Sequence, residues 1–351
     1  MTSLSTFALL ARTVGTAALF GSLTVGCTVQ SASNIPPKPP APEQHETING
    51  RIGSLTTKGQ DSQALLSIVK TINGDVFGVK AGETSLFRLD NGDWRATDRL
   101  GANPWNMNFL LFLDASNGLA LGDGGTWFQT SDGGANWTRA KEFTNYNLDR
   151  AAFLDKSTGY IVGERALVDS KGVLTDYTKI FLTTDGGLNW SKVLETKSAG
   201  RVTGLAVLSD ETVIASFTRK GVLRTTDKGR SWKFVNSNPH TMGIAFTGSE
   251  VGLSIDNHGN LNRSEDRGLS WEPTTIAAPD NTQCLWQDIS SDESMFVIVS
   301  SNGCVAYSRD GKEAFAIDHI DDRLTGVSAS DGFAFIFGDS HIYETRFDPT
   351  K

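Results

Sequence analysis

The chain has 351 residues, enough for one large all-β domain or two ordinary ones. Thirty-six glycines, 38% hydrophobic residues and no helix-length stretch with a 3.6-residue apolar period argue against a helical protein and for a turn-rich β architecture. A net charge of −8 gives no general reason to bind nucleic acid, and no nucleic-acid partner is expected.

The N-terminus reads as a targeting segment. Arg12 is the only charged side chain in residues 1–26. The apolar run TVGTAALFGSLTVG ends at Cys27 and is shorter than the about 20 residues of a transmembrane helix. LTVGC resembles a bacterial lipoprotein signal, whose cysteine is lipidated and becomes the new N-terminus, although Thr24 stands where leucine is usual. The alternative is an ordinary secretory signal with an incidental cysteine. The expected layout is a signal peptide over 1–26, a lipid anchor at Cys27, and a Ser/Pro-rich tether without a core over 27–47. Thr28 follows the cysteine in place of the aspartate of inner-membrane retention. By resemblance to lipoprotein sorting, this favours the outer membrane if the host is Gram-negative. The folded part is expected in the cell envelope, on the periplasmic side of a membrane, or secreted.

Past the tether, INGRIGSL at 48–55 reads as a strand, and a repeat then begins. FRLDNGDW around Asp90 is a copy one residue short. TSDGGANW (130–137), TTDGGLNW (183–190), TTDKGRSW (225–232) and SEDRGLSW (264–271) are full copies, and YSRDGKEAF around Asp310 is a worn one. From Asp90 to Asp310 there are 220 residues in five steps, a mean period of 44, which is the length of a four-stranded propeller blade. Before each copy lie apolar runs separated by turns, so a unit reads strand A, strand B, strand C, octapeptide, strand D. RLTGVSAS, GFAFIFG and HIYETRF supply three last strands, and 48–55 supplies the missing fourth. The expected fold is an all-β, seven-bladed β-propeller over 48–351, with the octapeptide hairpins between strands C and D and closure by an N-terminal strand.

Within the octapeptide, Asp132, Asp185, Asp227 and Asp266 are expected to accept hydrogen bonds from the amides of their own turns. The glycines supply positive φ. Trp137, Trp190, Trp232 and Trp271 bury their rings under the hairpins, once per blade, which marks scaffold and not a sugar-stacking cleft.

The S/T-x-D-x-G-x-x-W unit is similar to the Asp-box, or bacterial neuraminidase repeat, of sialidases, sortilin-type receptors and other propellers. Alone it specifies a fold and no function. A longer unit, FLDASNGLALGDGGTWFQTSDGGANW and again FLDKSTGYIVG with TTDGGLNW, resembles the photosystem II stability/assembly factor family over about residues 48–347. That resemblance implies a membrane-anchored, non-catalytic propeller that holds a membrane-protein assembly intermediate. The expected partner is a membrane protein or envelope protein, bound by a monomer without cofactor or metal.

Strand A lines a propeller's channel, so residues at its start crowd the mouth. RVTGLAV, HTMGIAF and RLTGVSA align without a gap and place Arg201, His240 and Arg323 at one position. The same offset brings Trp105, Asn147 and Gln283 nearby, with Arg150 and Trp286 slightly deeper. Guanidinium groups there suit a carboxylate or an acidic peptide. The alternative is a set of solvated strand ends. The resemblance likewise implies arginines gathered on one face. The candidate partner-binding residues are Arg150, Arg201, His240, Arg323, Trp105 and Trp286. Residues 164–179 form a longer B–C connection at the same end.

Cys284 and Cys304 are either a disulfide or two separate buried thiols, and no His or Cys pair accompanies them as zinc would need. A sialidase-like glycoside hydrolase is the sharpest rival. Yet Arg51-Ile52 is followed by glycine in place of the proline that this resemblance requires, and Tyr160, Tyr307 and Tyr343 fall in strands B or C, away from the channel. No carboxylate pair about 5–5.5 Å apart is evident either. No catalytic residue is therefore assigned. A passive envelope structural protein is the remaining alternative.

Overall fold

Seven antiparallel sheets make up the described part of the chain. The computed structural model describes residues 48–49, 54–60, 65–71, 74–236, 240–248, 250–276, 283–292, 294–312, 316–330, 332–339 and 341–346. The expected signal peptide, Cys27 and the tether lie outside the described residues. Blades 1 to 6 each hold four consecutive strands, beginning at Leu65, Met107, Asn147, Val202, Thr241 and Trp286. Blade 7 has three of its own from Leu324 onward. The A strands of successive blades touch one another, and that of blade 7 touches that of blade 1, so the ring closes.

The closing strand differs from expectation. Ser54–Gln60 pairs with His341–Arg346 as strand D of blade 7, with Thr56 opposite Glu344 and Thr57 opposite Tyr343. Ile48–Asn49 only adds a short fifth strand outside it. The run 48–55 is broken by Gly50 and Gly53, poor strand formers, whereas the run from Ser54 carries the β-branched pair Thr56-Thr57. Lys70 Nζ reaches Glu344 Oε1 at 2.6 Å, joining blade 1 to blade 7 at the closure.

The core lies between blades. Strand B has a neighbouring blade on each face, so VIASF (213–217) and FVIVS (296–300) are buried at every residue and read as continuous apolar runs. Met295, Val297, Val299 and Tyr307 of blade 6 pack against Leu324, Val327, Ala334 and Ile336 of blade 7. Each such Val, Leu, Ile or Met side chain contributes about 1.5–3 kcal/mol on burial.

The four full octapeptides share one hydrogen-bond pattern. In blade 2, Thr130 Oγ1 donates to Asp132 Oδ1 (2.9 Å) and accepts from Gly134 N–H (2.9 Å), while Asn136 donates its backbone N–H to Oδ1 (2.8 Å) and its side-chain amide to Oδ2 (2.7 Å). Asp185, Asp227 and Asp266 repeat this with Thr183 and Asn189, Thr225 and Ser231, and Ser264 and Ser270. The hydroxyl two residues before the aspartate and the Asn or Ser four after it are thus part of the device. The residue after the aspartate donates its N–H to the A–B turn of its own blade, as Gly133 does to Ser116 and Lys228 to Glu211. Neighbouring blades are latched where Arg224 Nε donates to Arg267 O (2.9 Å) and Arg263 Nε to Asp310 O. Blade 1 departs from expectation: Asp90 pairs with Asp93 across Asn91 (φ 50°) and Gly92 (φ 88°), a two-residue Asn-Gly hairpin.

Candidate functional site

Strand A of every blade carries a β-bulge just after its first paired residue, or in blade 3 after its second. The register with strand B shifts between Leu65 and Ser67, Met107 and Phe109, Leu148 and Arg150, Val202 and Gly204, Thr241 and Gly243, Trp286 and Asp288, and Leu324 and Gly326. A bulge bends its strand and re-aims the side chains around it. Sevenfold repetition makes it the device that shapes the mouth.

The bulge sorts the mouth residues into levels. The outermost holds Arg201, His240 and Arg323, and their equivalents by the bulge are Asn106, Asn147 and Leu285. The next residue inward is core: Val202, Thr241, Leu324, Leu148, Met107 and Trp286 are all buried. Trp286 therefore lies with Leu261 and Ile276 inside the blade 5–6 core and is only 8% exposed, closed to a partner. Trp105 is 43% exposed and covers Gly124, on a loop that Asn103 fixes through Trp105 O and Thr84 O. Trp105 and Gln283 stand one and two residues before Asn106 and Leu285, because blades 2 and 6 carry Phe109 and Asp288 where Gly204, Gly243 and Gly326 fix the offset in blades 4, 5 and 7. Leu285 (50% exposed) and Met242 (39%) are mouth residues the sequence did not single out.

Arg201 and His240 come together through Thr218. Thr218 N–H donates to Arg201 O (3.0 Å), and Thr218 O accepts from His240 N–H (2.8 Å). His240 is held at φ 75°. The Arg201 side chain is 61% exposed, with Nε 3.7 Å from Glu164 Oε2. Arg323 is 46% exposed, 3.5 Å from Asp339. Both guanidiniums keep donors available for a ligand.

Beyond the bulge, the equivalent residues are Ser67, Phe109, Arg150, Gly204, Gly243, Asp288 and Gly326. The absence of side chains at Gly243 and Gly326 gives the Asp288 carboxylate its space; a Cβ at Gly326 would stand 3.2 Å from Oδ2. Asp288 accepts from Ile289 N–H (2.9 Å) and from Val327 N–H of the next blade (3.0 Å). Arg150 Nε donates to Val202 O (3.3 Å). Desolvation lowers the Arg150 pKa, opposed by the charges of Asp288 and Glu164. Desolvation also raises that of Asp288, opposed by its two amide donors and by Arg150. Arg150 is thus a channel residue and not part of the exposed rim.

Residues 112–238 match the family described as "Photosynthesis system II assembly factor YCF48". A curated relative, "Photosystem II assembly lipoprotein Ycf48" of Synechococcus sp. (strain CC9902), is 28% identical over 155 residues, 43% of this chain and 42% of that protein. The match thus spans less than half the relative's length. Over those residues the chain is similar to that family. The solved YCF48 from Cyanidioschyzon merolae superposes with a TM-score of 0.59 at 13% identity, covering 85% of this chain and 99% of that one. A streptogramin B lyase does so with 0.53 at 12%, covering 85% and 99%. At such identities only the fold is shared, and the fold alone decides no activity.

Tyr160, Tyr307 and Tyr343 lie in strands B or C and not in the strands that line the channel. Tyr160 is fully buried among blades 3 and 4, and burial pushes its hydroxyl up to about 12. Tyr343 donates its hydroxyl to Asp322. Cys284 and Cys304 are joined as a disulfide, with Cα atoms 5.8 Å apart. The bond ties the loop that carries Leu285 to strand C of blade 6.

Proposed function

We propose that this propeller is a non-catalytic, membrane-anchored binding scaffold in the cell envelope that engages a membrane-protein or envelope partner through the bulged end of its channel. The family match across blades 2 to 4 supports an assembly role of the photosystem II type. The name of the Synechococcus relative supports a lipid anchor, here at Cys27. The observation that carries the reading is the pair of exposed, loosely paired guanidiniums of Arg201 and Arg323 on an otherwise acidic chain. Planar, always-charged donors at a rim recognise carboxylates in a bidentate fashion and steer acidic partners.

The test is a membrane pull-down with the tethered wild-type and an Arg201→Ala/Arg323→Ala variant of equal thermal stability. A membrane protein retained by the first and lost by the second is expected. Equal capture by both makes the arginines solvated strand ends. No specific capture by either leaves a passive envelope protein.

A further inference from the structure

The B–C connection of blade 3 is a β-ribbon. Gly159–Val168 and Leu174–Thr183 pair without interruption from Gly159↔Thr183 to Val168↔Leu174, each strand twice as long as strand B of blades 1, 2, 4 or 6. Its flanking strands stop early. Strand A gives its last partner at Asn147↔Glu164, and strand D at Tyr177↔Lys197. Residues 165–168 therefore form an edge with no described strand beside it, where strand A would continue if it were longer.

The ribbon is fixed at both ends. At its foot Arg219 NH1 meets Asp176 Oδ2 at 3.1 Å, and Ser198 N–H donates to Asp176 O. At its tip Asp169 Oδ1 accepts from Lys171 and Val173 N–H. Between them aliphatic side chains stand in solvent: Leu167 is 40% exposed, Val168 64%, Val173 55% and Leu174 63%. Val168 and Leu174 are cross-strand partners, so they share the face that also carries Glu164 and Asp176, the residues that Arg201 and Arg219 of blade 4 engage.

We infer that the edge Arg165–Val168 is a strand-addition site for an extended, aliphatic segment of a partner protein. Unpaired N–H and C=O groups along an ordered edge call for another strand, and the aliphatic pair calls for alternate apolar side chains to cover it. A bilayer fits the same patch less well. Open edges do not enter hydrocarbon, and Asp169 and Lys171 would be the deepest residues. An added segment would run in line with strand A, at the end of the channel where Arg201 and His240 stand. This rests on the scaffold reading only in taking that end as the partner-facing one.

The test uses the full chain without its signal segment, with backbone NMR assigned, titrated with a capped seven-residue peptide alternating valine and glutamine. Saturable shifts confined to the amides of 165–168 and their strand partners are expected. Affinity should fall about tenfold for the peptide N-methylated at alternate residues, and as much for Val168→Asp/Leu174→Asp. Both substituted positions are exposed, so the variant should keep the wild-type melting temperature. Absence of saturable shifts, or equal binding by the N-methylated peptide, overturns the proposal. So does sensitivity of phosphatidylcholine/phosphatidylglycerol vesicle binding, or of a dimer in sedimentation, to the double variant, which would assign the ribbon to lipid or to a second copy. The arginine pull-down is independent: if it succeeds while the titration fails, only the ribbon site falls.

Discussion

Arg150 and Asp288 occupy the same position past the bulge in two strands three blades apart, and each stabilises the charged form of the other. Both are half-buried within the ring, and neither has a described ion-pair contact within 4.0 Å. Arg150→Met should therefore cost about 1–2 kcal/mol, below the about 3–5 kcal/mol of a touching buried pair. Without its counter-charge the Asp288 pKa rises further above that of the unfolded chain. The folded variant then binds a proton more tightly than the unfolded one, so its deficit should shrink as pH falls from neutral toward 5. Denaturant titrations at both pH values check this; a deficit that does not change with pH would show that Asp288 does not sense Arg150.

Lys228 and Gly229 sit side by side in the blade 4 Asp-box, both at positive φ (60° and 84°). Their tolerance should differ. A Cβ at Gly229 would lie 2.8 Å from Val193 Cβ, so Gly229→Ala meets both strain and overlap and should cost about 2–3 kcal/mol. Lys228 carries only conformational strain. Lys228→Gly should be about 1 kcal/mol more stable than Lys228→Ala, since both lose the exposed contact to Asp210 and only alanine keeps the strain. Thermal melts of the three variants decide it, and alanine matching glycine would refute the strain argument.

Much of this was legible because the Asp-box is local. Its aspartate, glycines and tryptophan are consecutive, so blade number and the C–D hairpins follow from spacing. The Thr130-type hydroxyl and the Asn136-type amide were equally consecutive and could have been read as partners of the aspartate. The bulge was not legible: it arises from A–B pairing, and the residues it displaces range from Leu66 to Met242 and Gln287 without a common type. The sequence, with no glycine past the bulge of blade 6 to fix the offset, also offers Trp286 to a partner, whereas it fills the core. The ribbon over 164–179 was visible only as extra length. Its strands have ordinary composition, and exposure of Val168 and Leu174 depends on where strands A and D end.

The disulfide closes a loop of 20 residues across the mouth of blade 6. Chain-entropy arguments give about 3 kcal/mol for a loop of that order. Cys284→Ser/Cys304→Ser should lose about that much, and reductant should lower the wild-type melting temperature toward that of the variant. A melting temperature indifferent to reductant would mean that the bridge adds nothing to stability.

The boxed aspartates make the fold sensitive to acid. Hydrogen bonds from the residue four positions on, Asn136, Asn189 or Ser231, chiefly hold the carboxyls of Asp132, Asp185 and Asp227 below the ordinary range, to about 2 for Asp132 and Asp227. A depressed folded pKa gives stability that is complete above the unfolded value near 4 and is lost as pH falls through the folded one. Stability should therefore drop steeply between about pH 4 and pH 2, where the unfolded chain takes up protons that the boxes refuse. Asp132→Asn cannot titrate and should flatten that slope while lowering stability at pH 7. Its denaturation midpoint followed across this range tests the account: a slope as steep as the wild-type's would place the acid transition elsewhere in the molecule.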